Sequence, residues 1–219
     1  MADRPPITNP DSAQTRERLL DASERLFAEK GFRSASVRDI TRESSCNIAA
    51  VNYHFGGKAN LYREVFLRRL RSMRKLRLDA LDTALRHAGK DATLDLLVHA
   101  FASAFVAPLV EDNSGRLWLL LLAQEMIDPQ LPRETFHAEM VEPMERALIT
   151  ALGQVCPDLS HEDAQLCIHS LVGQLLHAVN IQRCLPDDER NRNLQDLVEH
   201  TVRFSVAGIR SLAGETIAA

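Results

Sequence analysis

Aromatic residues make up only 5% of the 219-residue chain, and stretches rich in Val, Ile, Thr and Tyr are missing. Strands draw on those residue types, so their scarcity argues against a sheet and for helices built on Leu and Ala. Cysteine is also sparse. Cys46, Cys156, Cys167 and Cys184 form no Cys-x-x-Cys pair and stand inside helix-like stretches. That pattern predicts buried free thiols in a reducing compartment rather than a disulfide framework. Long apolar runs are absent too: the longest, Leu117 to Ala123, falls well short of the roughly 18 residues a membrane span requires. The polar first ten residues, with three prolines, do not read as a signal peptide. A cytoplasmic protein without membrane contact is the expectation.

What is present is an ordinary globular composition, 45% apolar and 26% charged, with a net charge of −4. The charge is unevenly placed. Residues 1–80 hold 16 Lys and Arg against 10 Asp and Glu, a balance of +6, while residues 81–219 hold 10 against 20, a balance of −10. A basic first third in an acidic protein is compatible with a nucleic-acid partner for that third, although a long solvated helix face would look the same.

Periodicity divides the chain into helices. Leu19, Ala22, Leu26 and Phe27 predict a helix from about Thr15 to Lys30, ended by Gly31. Ser36, with Asp39 three residues on, caps a short helix reaching about Glu43. Asn47 caps a second short helix from Ile48 to about His54. Gly56-Gly57 then precedes a long basic helix, Lys58 to about Arg86. Further helices follow: Thr93 to Val110, a segment capped by Ser114 and ending near Ile127, and Pro132 to Val155 with a kink at Pro143. Two more span Ser160 to about Cys184, ended by Pro186, and Asn191 to Leu212. The fold class is all-α, read as a flexible tail over residues 1–12, a three-helix domain over 13–62 and a helical body over 63–215.

The two short helices and their three-residue turn have helix-turn-helix spacing, in which the second helix enters the major groove. Val37, Ile40, Val51 and Phe55 face the core, which leaves Ile48, Ala49, Ala50, Asn52, Tyr53 and His54 directed outward. Asn52 and His54 suit base edges, and the alanine methyls suit thymine methyls. Ser36, Arg38, Tyr53 and Lys58 suit phosphates, and Asn47 holds the helix start. Spacing alone does not separate this from any other pair of short helices.

The ordered landmarks do. Leu19-Leu20-Asp21-Ala22, Leu26-Phe27, Gly31-Phe32, Ser36-Val37-Arg38-Asp39-Ile40, and Tyr53-His54-Phe55 followed by Lys58 and Leu61-Tyr62 resemble the DNA-binding domain of the TetR family of regulators. The resemblance implies phosphate contacts from Ser36, Arg38, Tyr53 and Lys58, and a recognition helix over Ile48 to His54. It also implies a homodimer formed through the last two helices on double-stranded operator DNA, and a small-molecule effector in the C-terminal body. Four positions depart from the family pattern: Ser45 where Gly is usual, Asn47 for Ser, Asn52 for Tyr and Gly57 for Ser.

For the dimer surface, Leu171, Leu175, Ala178 and Ile181 recur on one helix, and Leu197, Val198, Thr201, Phe204 and Ile209 on the next; internal packing is the competing reading. Phe101, Phe105, Trp118, Leu122 and Met126 offer an apolar effector pocket, with Glu125, Gln174 and His177 as its polar groups; core packing with satisfied hydrogen bonds is the competing reading. The segments Gln124-Glu125-Met126, Met140-Val141-Glu142-Pro143 and Val172-Gly173-Gln174 are similar to a TetR subgroup that includes CecR and the fatty-acid-responsive PsrA, which implies an apolar or amphipathic effector. His169, His177 and Cys184, spaced eight and seven residues apart, make a metal site conceivable, but no i, i+4 His pair or carboxylate cluster supports one and none is expected. No Gly-rich phosphate loop, nucleophile motif or paired acids are present, so neither a cofactor nor an enzyme is expected. A helical carrier or small enzyme without sequence-specific DNA binding is the alternative.

Overall fold

The computed structural model describes residues 10–111, 113–181 and 187–214, and every regular element among them is helical. The helices are α1 (Pro10–Ser34), α2 (Val37–Glu43), α3 (Ile48–Phe55), α4 (Lys58–Ala88), α5 (Leu94–Glu111), α6 (Asn113–Ile127), α7 (Arg133–Phe136), α8 (Glu142–Val155), α9 (His161–Ile181) and α10 (Asp187–Leu212). The chain divides into two compact units. The first holds the chain up to Leu70 together with Arg116–Thr135, and the second holds Arg71–Gly115 and the chain from Phe136 onward. The segment 116–135, expected from the sequence to lie in the C-terminal body, is therefore part of the first unit.

The first unit packs around Leu19, Leu20, Phe27, Ile40, Val51, Leu61 and Phe66, each no more than 1% exposed. Full burial of each such side chain contributes roughly 1.5–3 kcal/mol. Phe27 meets the edge of the Tyr62 ring at 5.0 Å, and Trp118 packs on Phe66 at 5.2 Å. One acid lies in this apolar layer: Glu24 is buried on α1, where Arg68 and Arg69 of α4 both donate to its carboxylate. Gly31 interrupts α1 with φ +76°, as its place after Lys30 predicts. The positive φ is what requires glycine; a Cβ there would also stand 3.0 Å from the Gln124 side-chain oxygen, a tight contact that the flexible Gln124 could relieve by shifting.

In the second unit α5, α8, α9, α10 and the later part of α4 close over Leu97, Phe101, Leu148, Leu171, Leu175 and Ile209. The predicted kink at Pro143 is more elaborate than a bend. A π-helical turn, His137–Val141, separates α7 from α8, with Pro143 in the first turn of α8. Proline lacks the N–H that the Glu139 carbonyl would accept in an α-helix, and Arg74 donates to that carbonyl instead at 2.6 Å. The Glu139 carboxylate receives Arg71 and then Arg74, which hold it below the usual carboxylate range.

Several sequence expectations change. α1 begins five residues earlier than Thr15, and Ser114 lies inside α6 rather than capping it. The proposed end of α9 at Cys184 and Pro186 lies outside the described residues. Cys156 is buried, whereas Cys46 and Cys167 are half-buried, and no disulfide joins these three. Leu171, Leu175, Ala178, Val198, Thr201 and Ile209, offered as a dimer stripe, are buried inside the second unit. These residues occupy the α9–α10 and α5–α10 seams, because a two-helix hairpin must first bury its own inner face. Of that set only Ile181 and Phe204 are exposed.

Candidate nucleic-acid interface

Each half of the helix-turn-helix starts at a side-chain cap. Ser36 accepts from the Asp39 backbone N–H at 3.1 Å and donates its own hydroxyl to the Asp39 carboxylate at 2.6 Å. That hydroxyl holds the Asp39 carboxyl below its ordinary range. At α3, the Asn47 side chain accepts from the Ala49 N–H at 3.0 Å, and Gly56 closes the helix in a left-handed conformation. Asn47 thus supplies the cap chemistry usual for serine at that place. Between the helices, Ser45 has φ +53°, the only described non-glycine residue with a positive φ. The turn keeps the glycine-type conformation with a residue that has a Cβ. Ser45→Gly is therefore expected to raise stability by about 0.5–1 kcal/mol, since relief of left-handed strain exceeds the added unfolded-state entropy. A urea midpoint that fell on this change would contradict that balance. Gly57 has φ +138°, which a serine would adopt only under strain, so this departure also follows from backbone geometry.

Val51 and Phe55 anchor α3 to the core, at 0% and 6% exposure. The opposite face is bare. Ala49 and Asn52 are exposed, Ile48 is 47% exposed and Tyr53 81%, while Ala50 and His54 are half-covered at the flanks. An exposed tyrosine and an exposed isoleucine on one short helix leave apolar surface open to solvent. The Tyr53 ring rests edge-on against His54 at 4.9 Å, which limits its rotamers. Arg38 projects from α2 into solvent and forms no ion pair among the described residues.

Lys58 is placed differently from its sequence reading as a free phosphate ligand. Its ammonium donates to the Arg33 carbonyl at 3.4 Å and lies over the Phe32 ring at 4.5 Å. Partial burial lowers its pKa. One of its three donors therefore ties the start of α4 to the end of α1, and two are left for an anion.

The eight effector candidates are distributed between the two units. Trp118, Leu122, Glu125 and Met126 belong to the first, and Phe101, Phe105, Gln174 and His177 to the second. Trp118 is packed on Phe66, Leu122 is half-buried, and Met126 is 78% exposed. Glu125 accepts from the Tyr62 hydroxyl at 2.8 Å and from the Gln130 and Leu131 backbone N–H groups, so its carboxylate already has three donors. Burial and then this bond push the Tyr62 hydroxyl far above its ordinary pKa. In the second unit Phe101 and Phe105 are buried with ring centroids 5.9 Å apart. Gln174 is half-buried, while His177 is exposed on the outer face of α9. Phe101 also lines a small apolar cleft with Leu97, Val98, Leu148, Leu152 and Ile209.

The interactions that hold the end of α6 in the first unit went unread in the sequence. Arg33 grips Asp128 through two hydrogen bonds of 2.8 Å, Gly31 abuts Gln124, and Tyr62 holds Glu125. The pairs are separated by 63 to 95 residues along the chain, so no local pattern announces them.

Comparison with known proteins agrees with this geometry. The family model described as bacterial regulatory proteins, tetR family, matches residues 19–65. A second, described as the tetracyclin repressor-like C-terminal domain, matches residues 99–208, half of the chain. The chain is 26% identical to YttP of Bacillus subtilis, a probable HTH-type transcriptional regulator, over 128 residues, 58% of each protein. It is 30% identical to the HTH-type transcriptional regulator AcrR of Shigella flexneri over 59 residues, 27% of each. The alignments thus span 58% and 27% of the length of these two curated relatives. Among solved structures, a TetR-family transcriptional regulator from Streptomyces coelicolor has a TM-score of 0.62 at 22% identity, with coverage of 92% of this chain and 97% of that one. The fatty acid degradation regulator FadR from Bacillus halodurans has a TM-score of 0.64 at 16% identity, with coverage of 89% and 99%. At such identities these two likenesses show a shared fold. Together with a helix-turn-helix capped at both starts, the two family matches make this chain a member of the TetR family of transcriptional regulators.

Proposed function

We propose that the protein is a ligand-responsive repressor that binds a near-palindromic operator as a homodimer and leaves it when a small apolar or amphipathic effector binds. The observation that carries this reading is the bare face of α3. Ile48, Ala49, Asn52 and Tyr53 form an exposed surface on a helix that is rigidly anchored by Val51 and Phe55 and capped at both ends. Such a face has the size and small-residue content for the major groove. Ser36, Arg38, Tyr53 and the two spare donors of Lys58 serve as phosphate contacts, and Asn47, Ala50 and His54 border the groove face.

The outer faces of α9 and α10 support the homodimer. Leu166, Leu176, Phe204 and Leu212 are exposed there, and Gly173 and Gly208 stand mid-helix with nothing within 4 Å of an added Cβ. A mid-helix glycine costs about 1 kcal/mol relative to alanine, and no described neighbour requires either one. Close approach of a second copy would. Two copies present two recognition helices to half-sites one turn apart. Effector release would then act through α6, whose C-terminal end is clamped to α1 and α4 by Arg33–Asp128 and Tyr62–Glu125, and would change the spacing of the recognition helices. The similarity to the CecR and PsrA subgroup supports an apolar effector, and the cytoplasm is where such a protein meets chromosomal DNA.

The test is selection of a duplex from a random library followed by salt titration of binding. Arg38→Ala is expected to lower affinity for all duplexes alike and to reduce the salt slope by about one unit, the change that one fewer neutralised phosphate produces. Absence of any sequence-selective duplex would favour the carrier or small-enzyme reading instead. An unchanged slope in Arg38→Ala would remove Arg38 from the interface.

A further inference from the structure

Arg71, Arg74 and Arg77 stand three residues apart on α4, and all three meet the π-helical turn His137–Val141 within the second unit. Glu139 receives the first two. Arg77 has no carboxylate partner among the described residues. It is only 7% exposed, it lies in the apolar stripe of Met73 and Leu81, and its guanidinium sits 3.9 Å from the centre of the Phe105 ring. It donates to the Met140 sulfur at 3.7 Å, a weak acceptor, and its Nε–H has no partner among the described residues.

This is an unusual state for a cation. A buried charge is normally paired and hydrogen-bonded, because removing it from water is otherwise strongly unfavourable. The ring face attracts the charge but offers no acceptor in line with Nε–H. Burial accordingly draws the Arg77 pKa down to about 10, which leaves it protonated at neutral pH. A protonated fork with a free donor, between an aromatic ring and a thioether, matches the geometry of an incoming carboxylate. Phe105 in turn packs on Phe101, which lines the apolar cleft with Leu97, Leu148 and Ile209. The guanidinium and this void border the same aromatic pair. The void is about 10 Å³, the size of a single water, so an acyl chain would enter by parting that packing.

We propose that Arg77 is the anion anchor of the effector site, and that the effector is a carboxylate on an apolar chain whose body runs past Phe105 and Phe101. The inference rests on the ligand-responsive reading above and narrows its ligand class to acids. A quaternary ammonium compound would meet Arg77 as a like charge.

The full-length protein would be titrated calorimetrically with butanoate, decanoate and palmitate, and with decanol and decyltrimethylammonium, each below its micelle threshold. Wild type should bind at least one of the longer acids at least about tenfold more tightly than decanol, the margin expected of a charge-assisted pair. It should not bind the ammonium compound. Arg77→Met, which conserves volume and removes a buried charge, should fold and bind decanoate no better than decanol. Arg77→Lys should keep the acid preference at reduced affinity. Equal binding of decanoate and decanol by wild type, an acid preference retained in Arg77→Met, or no binding of any acid would each overturn the proposal. Duplex binding measured on the same preparations separates the two readings. Selective duplex binding without acid preference sinks only the anchor, whereas acid binding without duplex selectivity sinks only the repressor.

Discussion

Ala49→Glu is expected to abolish operator binding, by about a hundredfold or more, while the fold is unharmed. Ala49 is exposed in the first turn of α3, where a longer side chain extends into solvent. A carboxylate near a helix N-terminus is favourable by roughly 0.3–1 kcal/mol, so the variant should melt at the same temperature or slightly higher. Against DNA the sign reverses. The carboxylate would be carried into a groove between two rows of phosphates, and juxtaposed like charges cost several kcal/mol. Ala49→Ser, of similar size and neutral, should bind within a few-fold of wild type. The pair is read by anisotropy with a selected duplex and by thermal melting. If Ala49→Glu bound normally, α3 would not be the recognition helix; if it bound poorly and melted early, the effect would belong to folding.

The largest effect on stability is expected at Glu24. Its side chain is 7% exposed, and it is the shared acceptor of Arg68 and Arg69, themselves 30% and 19% exposed. Removing it leaves two partly buried cations facing an apolar layer, and breaking a buried pair typically costs about 3–5 kcal/mol. Because both arginines keep some access to water, we expect Glu24→Ala to cost about 3 kcal/mol, the low end of that range, seen as a lower denaturant midpoint. Asp21→Asn is the control. Asp21 bonds the same Arg68 at 2.8 Å, but it is 60% exposed and should cost less than about 1 kcal/mol. Equal losses for both variants would mean that burial does not govern this network. The result also bears on DNA binding, because Arg68 and Arg69 contribute to the basic balance of the first third. Engaged with Glu17, Asp21 and Glu24, they are internal counterions rather than a free basic surface. Those acids are already counted in the +6 balance, so the pairing leaves the net charge of the first third unchanged and removes two arginines from its free cations.

The helix-turn-helix was legible because its determinants are local. Ser36, Asn47 and Gly31 act within a few residues of themselves, so caps and breaks can be read in order along the chain. Even the departures had local consequences: Ser45 takes the left-handed conformation that glycine usually supplies, and Asn47 caps as serine would. The inward side of Val51 and Phe55, and the outward side of Ile48 and Tyr53, followed from helical period alone.

The C-terminal body was less legible for a physical reason. An apolar stripe says that a helix face is covered and leaves open what covers it. Leu171, Leu175, Val198 and Ile209 could have faced a second copy; packing within the chain claims them instead and leaves Leu166, Leu176 and Phe204 outside. The same holds for polar residues inside apolar stretches. Glu125 read as a ligand group and became the partner of Tyr62, while Glu24 and Arg77 drew no notice although both stand in apolar stripes. By itself, then, the amino-acid order determined the helices, their ends and the bare face of α3, because those depend on interactions within a turn or two. Only the tertiary structure decided which charges are paired. Glu24 meets two arginines that lie 44 and 45 residues away, and Arg77 meets a ring and a sulfur rather than a carboxylate, since partners brought together by folding leave no periodicity in the chain.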